Sequence, residues 1–150
     1  MHSIRSTPMQ ALAAILCDSA ADYQGKMCVL GAFDSIYAGR FPAVHPHCAV
    51  AIRLLFRPEE EGPHEMKITL IDSDGKHVLP DGGGPIIRFE VPEIPEETFF
   101  LSRNFVLDLN GLPLPKPGQY SFDIIVDGKI LSRIPLQAMS MPPNPTQSAG

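Results

Sequence analysis

Between Gln10 and Leu136 the chain alternates between short apolar runs and clusters of turn-forming residues. Several runs have a period of two, the signature of a strand with one buried face. Cys48, Val50, Ile52, Leu54 and Phe56 fall on one side of a segment that carries Arg53 and Arg57 on the other. Met66, Ile68 and Leu70 alternate with Lys67 and Thr69, Ile87, Phe89 and Val91 with Arg88 and Glu90, and Phe105, Leu107 and Leu109 with Asn104 and Asp108. The strongest element is a hairpin over 118–136. Tyr120, Phe122, Ile124 and Val126 form one face, and Asp127-Gly128 is a two-residue turn tolerant of positive φ. Ile130 to Leu136 then returns, and Pro135, which has no amide to donate, marks that strand as an edge.

Other stretches carry mixed signals. Gln10 to Cys17 is apolar on both parities, which fits a strand covered on both faces or a helix, since Ala and Leu favour helices. Asp18 to Asp22 reads as a polar break. Lys26 to Tyr37 is apolar but interrupted by Gly31, which in a strand marks a bulge or a close backbone approach. Asp74-Gly75 predicts a turn, with Val78-Leu79 opening a return strand. Pro80 to Pro85 is a further break, and its three glycines lack the Lys-Ser or Lys-Thr of a phosphate loop.

These elements predict one all-β domain over residues 9–138, an antiparallel two-sheet sandwich of eight or nine strands. A closed β-barrel is the alternative. Residues 1–8 and the Pro-rich residues 139–150 read as tails. Pro117-Gly118 followed two residues later by Tyr120 resembles the tyrosine corner of immunoglobulin-like sandwiches, in which the phenol bonds back to the loop backbone. That spacing makes the expected sandwich immunoglobulin-like.

Composition agrees. Sixteen prolines in 150 residues leave little room for long helices. The formal net charge is −5, and the 12 Lys and Arg are scattered, without the cluster that phosphate binding needs. Nucleic acid and anionic membranes are therefore not expected partners. No run reaches the roughly 18 apolar residues of a membrane-spanning helix. Cys17, Cys28 and Cys48 are odd in number and widely spaced, which supports no zinc or redox motif. All three are expected as buried thiols in a reducing, cytoplasmic setting. The absence of Trp and an aromatic content of 7% disfavour a sugar-stacking platform.

Candidate chemistry is sparse. His45 and His47 form a His-x-His pair of the kind that holds metal in cupin barrels. The carboxylate that should follow within a few residues is missing, and Pro46 between them suggests loop histidines. Asp72, Asp74 and Asp81 are loop carboxylates near the pattern that holds calcium in C2 domains. The competing reading of Asp72 and Asp74 is a hairpin turn in which Asp bonds its own backbone. Cys48 next to His47 would put thiol and base on opposite faces of a strand. No Gly-x-Ser-x-Gly elbow is present. No catalytic residue and no cofactor is expected.

Ala14-Ile15-Leu16-Cys17-Asp18, Gly25-Lys26, Val29-Leu30-Gly31-Ala32-Phe33-Asp34 and Phe41-Pro42 resemble the start of a family of small bacterial proteins of unknown function. The resemblance continues through Arg53, Leu70 to Gly75, Pro117-Gly118-x-Tyr120-x-Phe122 and Val126-Asp127-Gly128, and covers about residues 11–138. It implies a short stand-alone protein and brings no catalytic residues. The leading expectation is a non-enzymatic protein-interaction or structural module that binds a protein partner, or itself, through an edge strand. A ligand- or calcium-binding sandwich using Asp72, Asp74 and Asp81 is the alternative. A metal-dependent enzyme using His45 and His47 is the third reading.

Overall fold

The computed structural model describes residues 9–80 and 84–142. Among these residues are nine strands, and a turn of 3-10 helix lies at Pro58–Glu60. In chain order the strands are β1 Gln10–Tyr23, β2 Lys26–Ala32, β3 Ser35–Ala38, β4 Ala43–Phe56 and β5 Gly62–Asp72. They continue as β6 Ile86–Val91, β7 Leu101–Leu114, β8 Gly118–Val126 and β9 Lys129–Ser140. One sheet has the order β2-β1-β4-β7 and the other β3-β9-β8-β5-β6. Each sheet keeps its own two edges, so the fold is a two-sheet sandwich and not the closed barrel. No helix among the described residues is long and apolar enough to cross a membrane.

The core lies where the alternating residues of facing strands meet. Cys48, Val50, Ile52, Leu54 and Phe56 of β4 oppose Met66, Ile68 and Leu70 of β5 and Tyr120, Phe122, Ile124 and Val126 of β8, all buried in one cluster. The β8–β9 hairpin turns at Asp127 and Gly128, both at positive φ (50° and 81°), as a two-residue turn matching the strand twist requires. The Tyr120 hydroxyl donates to the Lys116 carbonyl and accepts the Lys116 amide at 3.2 Å. The tyrosine corner is therefore formed, and it ties the β7–β8 loop to the core.

Several expectations are corrected. Gln10 to Cys17 is strand, the first of its two readings, but the strand runs on through Asp18–Asp22, where a polar break was expected. Lys26 to Tyr37 is two strands in two different sheets, split at Phe33-Asp34. One pairing is parallel: β3 lies beside the end of β9, Ser35 opposite Gln137 and Ala38 opposite Ser140. This pairing extends β9 to Ser140, two residues past the expected end of the domain. It also places β9 between β3 and β8, so the strand that Pro135 suggested as an edge is not one, although Pro135 itself lies just before the stretch that β3 covers. The return after Asp74-Gly75 is a single bridge, Ile71 to His77, with the Val78 amide bonded to the Leu70 carbonyl at 2.8 Å. Cys17 and Cys48 are buried, whereas Cys28 is exposed.

Candidate functional site

The residues singled out by sequence are mostly occupied with local structure. His45 and His47 lie on β4 itself, opposite Leu112 and Asn110 of β7, rather than in a loop. The His45 ring tilts against Phe33 with centroids 5.6 Å apart. His47 Nδ1 is 2.8 Å from Asn110 Oδ1, and its Nε2 is 3.9 Å from Asp108. Among the described residues no three His, Cys, Asp or Glu side chains are grouped to hold a metal. Asp72 Oδ1 accepts the backbone amides of Lys76 and Asp74, each at 2.9 Å. The Lys76 amide is the first cause holding its carboxyl below the usual range. Asp74 pairs with Lys116 at 3.3 Å. These two carboxylates thus shape a turn, as the backbone-bonding reading requires. Asp81 lies outside the described residues. Burial pushes the Cys48 thiol up to about 11, which keeps it protonated and inert.

The structure also brings together a pair that sequence gave no sign of. His64 on β5 and Asp127 in the β8–β9 turn meet at 2.6 Å through Nδ1 and Oδ2. His64 Nε2 lies 2.6 Å from the Glu60 carbonyl, and the ring stacks on Phe89 at 5.5 Å. Asp127 Oδ1 also accepts the Glu65 amide at 2.9 Å. The two residues border a surface cleft of about 490 Å³ with Glu65, Arg88 and Glu90. Both ring nitrogens face acceptors, so the imidazolium is the form that satisfies the site, and no nitrogen is left for a substrate. Burial alone would lower the His64 pKa, but Asp127 and the Glu60 carbonyl outweigh it and raise it. Burial would likewise raise Asp127, but His64 and the Glu65 amide bring it down. This pair is a pin between two turns. A second cleft, of about 670 Å³ between β6 and the end of β7, is mostly apolar, with Lys67 its only ionisable lining side chain among the described residues.

The feature that faces outward is the β1–β2 hairpin. β1 pairs with β4 only as far as Cys17 opposite Ala49, and beyond that point it pairs with β2 alone. The hairpin then folds over the outer face of its own sheet. The Arg53 guanidinium donates to the Gly25 carbonyl at 2.8 Å, to Asn104 Oδ1 at 2.6 Å and to Ser102 Oγ at 2.8 Å. Asn104 Nδ2 donates to Asp22 Oδ1 at 2.8 Å. Beneath the hairpin Cys17, Ala49 and Ala51 are fully buried, with Ala20, Met27 and Val106 packed around them. The small alanines allow this close approach, and they explain why β4 is buried on both faces. Gly31 completes the bend. Its φ is +70°, and a Cβ there would come within 2.5 Å of the Asp18 carboxylate.

The hairpin leaves β2 as an open edge. The four edges are β2 and β7 in one sheet and β3 and β6 in the other. Edge strands are templates for pairing unless charge, proline, bulges or shortness blunt them. β3 has four residues. β6 carries Arg88 and Glu90. β7 carries Arg103, Asp108 and Pro113, with Gly111 at positive φ. β2 carries one charge, Lys26 at its first position, followed by Met-Cys-Val-Leu-Gly-Ala. Cys28, Val29 and Leu30 are exposed, Leu30 to 69%. The Lys26–Tyr37 pattern showed an apolar segment; that β2 ends up at the margin follows from the β1–β2 pairing, which the pattern does not encode.

A family model, for a family of unknown function designated DUF6941, matches residues 12–139. No curated protein matches the chain. Among solved structures it is similar to Pseudomonas fluorescens alkylpurine DNA glycosylase AlkC bound to DNA containing an abasic site analog, with a TM-score of 0.48 and 10% identity. The similarity covers 87% of this chain, and the chain spans 30% of that one.

Proposed function

We propose, for a chain that belongs to the DUF6941 family, a non-enzymatic role as an interaction module that binds an extended protein segment by adding it to the free edge of β2. The observation that carries this reading is the combination, at β2 alone among the four edges, of exposed aliphatic side chains and near-absence of charge. Backbone hydrogen bonds along an added strand supply affinity, and alternate side chains supply selectivity. The non-enzymatic part is supported by how the ionisable clusters are used: His64, Asp127, Asp72 and Asp74 are engaged with one another, with backbone or with Lys116. A protein partner rather than nucleic acid is supported by the net charge of −5. Three free thiols support a reducing, cytoplasmic location.

The test is retention of the purified chain on an array of immobilised extended peptides about seven residues long, rich in β-branched residues. Wild type is expected to be retained by a subset of them. Val29→Pro, which removes an amide in the middle of the edge, and Val29→Lys, which charges it, are each expected to weaken retention about tenfold. Retention indifferent to both substitutions, or no retention of a chain that is monomeric at the same concentration, would overturn the reading.

A further inference from the structure

Resting on that reading, we infer that the segment added to β2 is β2 of a second copy of this chain, paired antiparallel about a twofold axis through Val29. The phase of the backbone sets which groups face outward, and the extent of overlap selects the centre. Gln24 and Gly25 form a two-residue turn, with φ of 51° and 80°. In such a turn the flanking pair, Tyr23 and Lys26, exchanges both hydrogen bonds. Alternation then directs the amides and carbonyls of Cys28 and Leu30 toward β1, and those of Met27 and Val29 toward the open side. A ladder across a twofold axis needs outward-facing residues opposite outward-facing ones, which centring on any residue of β2 provides. Centring on Cys28 or Leu30 pairs only Lys26–Leu30 or Cys28–Ala32, and centring on Met27 pairs less. Centring on Val29 uses all of Lys26–Ala32.

The side chains accept that register. Val29 meets Val29 of the second copy as a hydrogen-bonded pair. Cys28 meets Leu30 of the second copy as a non-hydrogen-bonded pair, where side chains approach most closely. Met27 falls opposite Gly31, so a long side chain meets an absent one. The single charge of each strand, Lys26, lies opposite Ala32, two residues from Asp34 of the second copy. Like charges do not meet anywhere along the pairing. The four-stranded sheet becomes a continuous eight-stranded one, and both exposed Leu30 side chains gain an apolar neighbour.

Cysteine cross-linking reads the register directly. In Leu30→Cys, the new thiol lies opposite the native Cys28 of the second copy, and a symmetric dimer offers two such pairs. Cys17 and Cys48 are fully buried and stay silent. Within one chain, positions 28 and 30 are about 6.6 Å apart along the strand with parallel Cβ vectors, which disfavours an internal bond. Under mild oxidation at high protein concentration, Leu30→Cys is expected to form a covalent dimer at least about tenfold faster than wild type and than Arg88→Cys on the β6 edge. Light scattering at the same concentration should give a dimer mass for wild type and a monomer mass for Val29→Lys, with the circular dichroism of both unchanged. Equal cross-linking rates for the two engineered thiols, or a wild type that stays monomeric, would overturn the self-pairing. A monomer still retained on strand peptides in a Val29-dependent way leaves edge binding standing and removes only the second copy. A monomer retained on none removes both.

Discussion

His64 has two ring nitrogens and two acceptors within 2.6 Å, so neutral imidazole would leave one acceptor facing a lone pair. The consequence is a pH dependence with a definite sign. The folded pKa of His64 is raised, so its contribution to stability is complete below the ordinary value of 6.5 and is lost as pH rises through the folded value. The folded pKa of Asp127 is lowered, so its contribution is complete above 3.8 and is lost as pH falls through the folded value. Together they stabilise most between those two ordinary values. Asp127 is about half exposed, which limits the effect to roughly 1 kcal/mol through solvent screening. His64→Gln should therefore lower the melting temperature most near about pH 5.5, with the gap to wild type narrowing as pH rises beyond the ordinary histidine value of 6.5. A gap that is constant across that range would show that the histidine acts through packing on Phe89 and not through its charge. Neither residue was visible as a pair in the sequence, because they are 63 positions apart and meet only when the β5 and β8 ends align.

At the scale of the element, the folded-over hairpin is tied down by Arg53 and by Asn104, which Arg53 itself positions. Arg53 holds the Gly25 carbonyl, Asn104 and Ser102 at once. Arg53→Met keeps much of the side-chain volume and removes these bonds, at an expected cost of about 1–3 kcal/mol in urea unfolding. The released hairpin should also uncover Cys17, so maleimide labelling of Cys17 resolved by mass spectrometry should accelerate about tenfold, with core-facing Cys48 as the unchanged internal standard. Unchanged labelling of Cys17 would mean that the hairpin is held by its apolar contacts alone. Local chemistry was legible where it acts over a few residues: the period of β4, the Asp127-Gly128 turn, the close approach at Gly31 and the Tyr120 corner. It was misleading at Asp18–Asp22, because a strand that leaves its sheet keeps solvent on one face and reads as polar. It was silent on the split at Phe33-Asp34, because apolar residues continue across the point where the chain changes sheets. Pro135 pointed to β9 as the edge, whereas β9 lies between β3 and β8, and finding β2 among the four edges required the sheet order.

For the whole molecule, two copies of charge −5 repel at long range, while the strand pairing that would join them is mostly apolar. Salt screens the first and spares the second, with a screening length of about 10 Å at 0.1 M. Dimer formation is therefore expected to strengthen as sodium chloride rises from roughly 20 to 500 mM, measured by sedimentation velocity. Weakening with salt would point to an interface built on ion pairs elsewhere. The departure of β1 from its sheet after Cys17 has a further consequence for how such a protein changes over time. No residue of Lys26–Ala32 belongs to the main core cluster, and Met27 alone packs on the smaller one beneath the hairpin, so the recognition proposed for β2 would draw on positions largely separate from those that fold the sandwich. Sequence drift in β2 would then alter partner choice while the sandwich stays intact. The same separation would make the chain a scaffold: a foreign strand grafted between Gly25 and Phe33, with Met27 and Gly31 kept, should redirect binding without redesign of the interior.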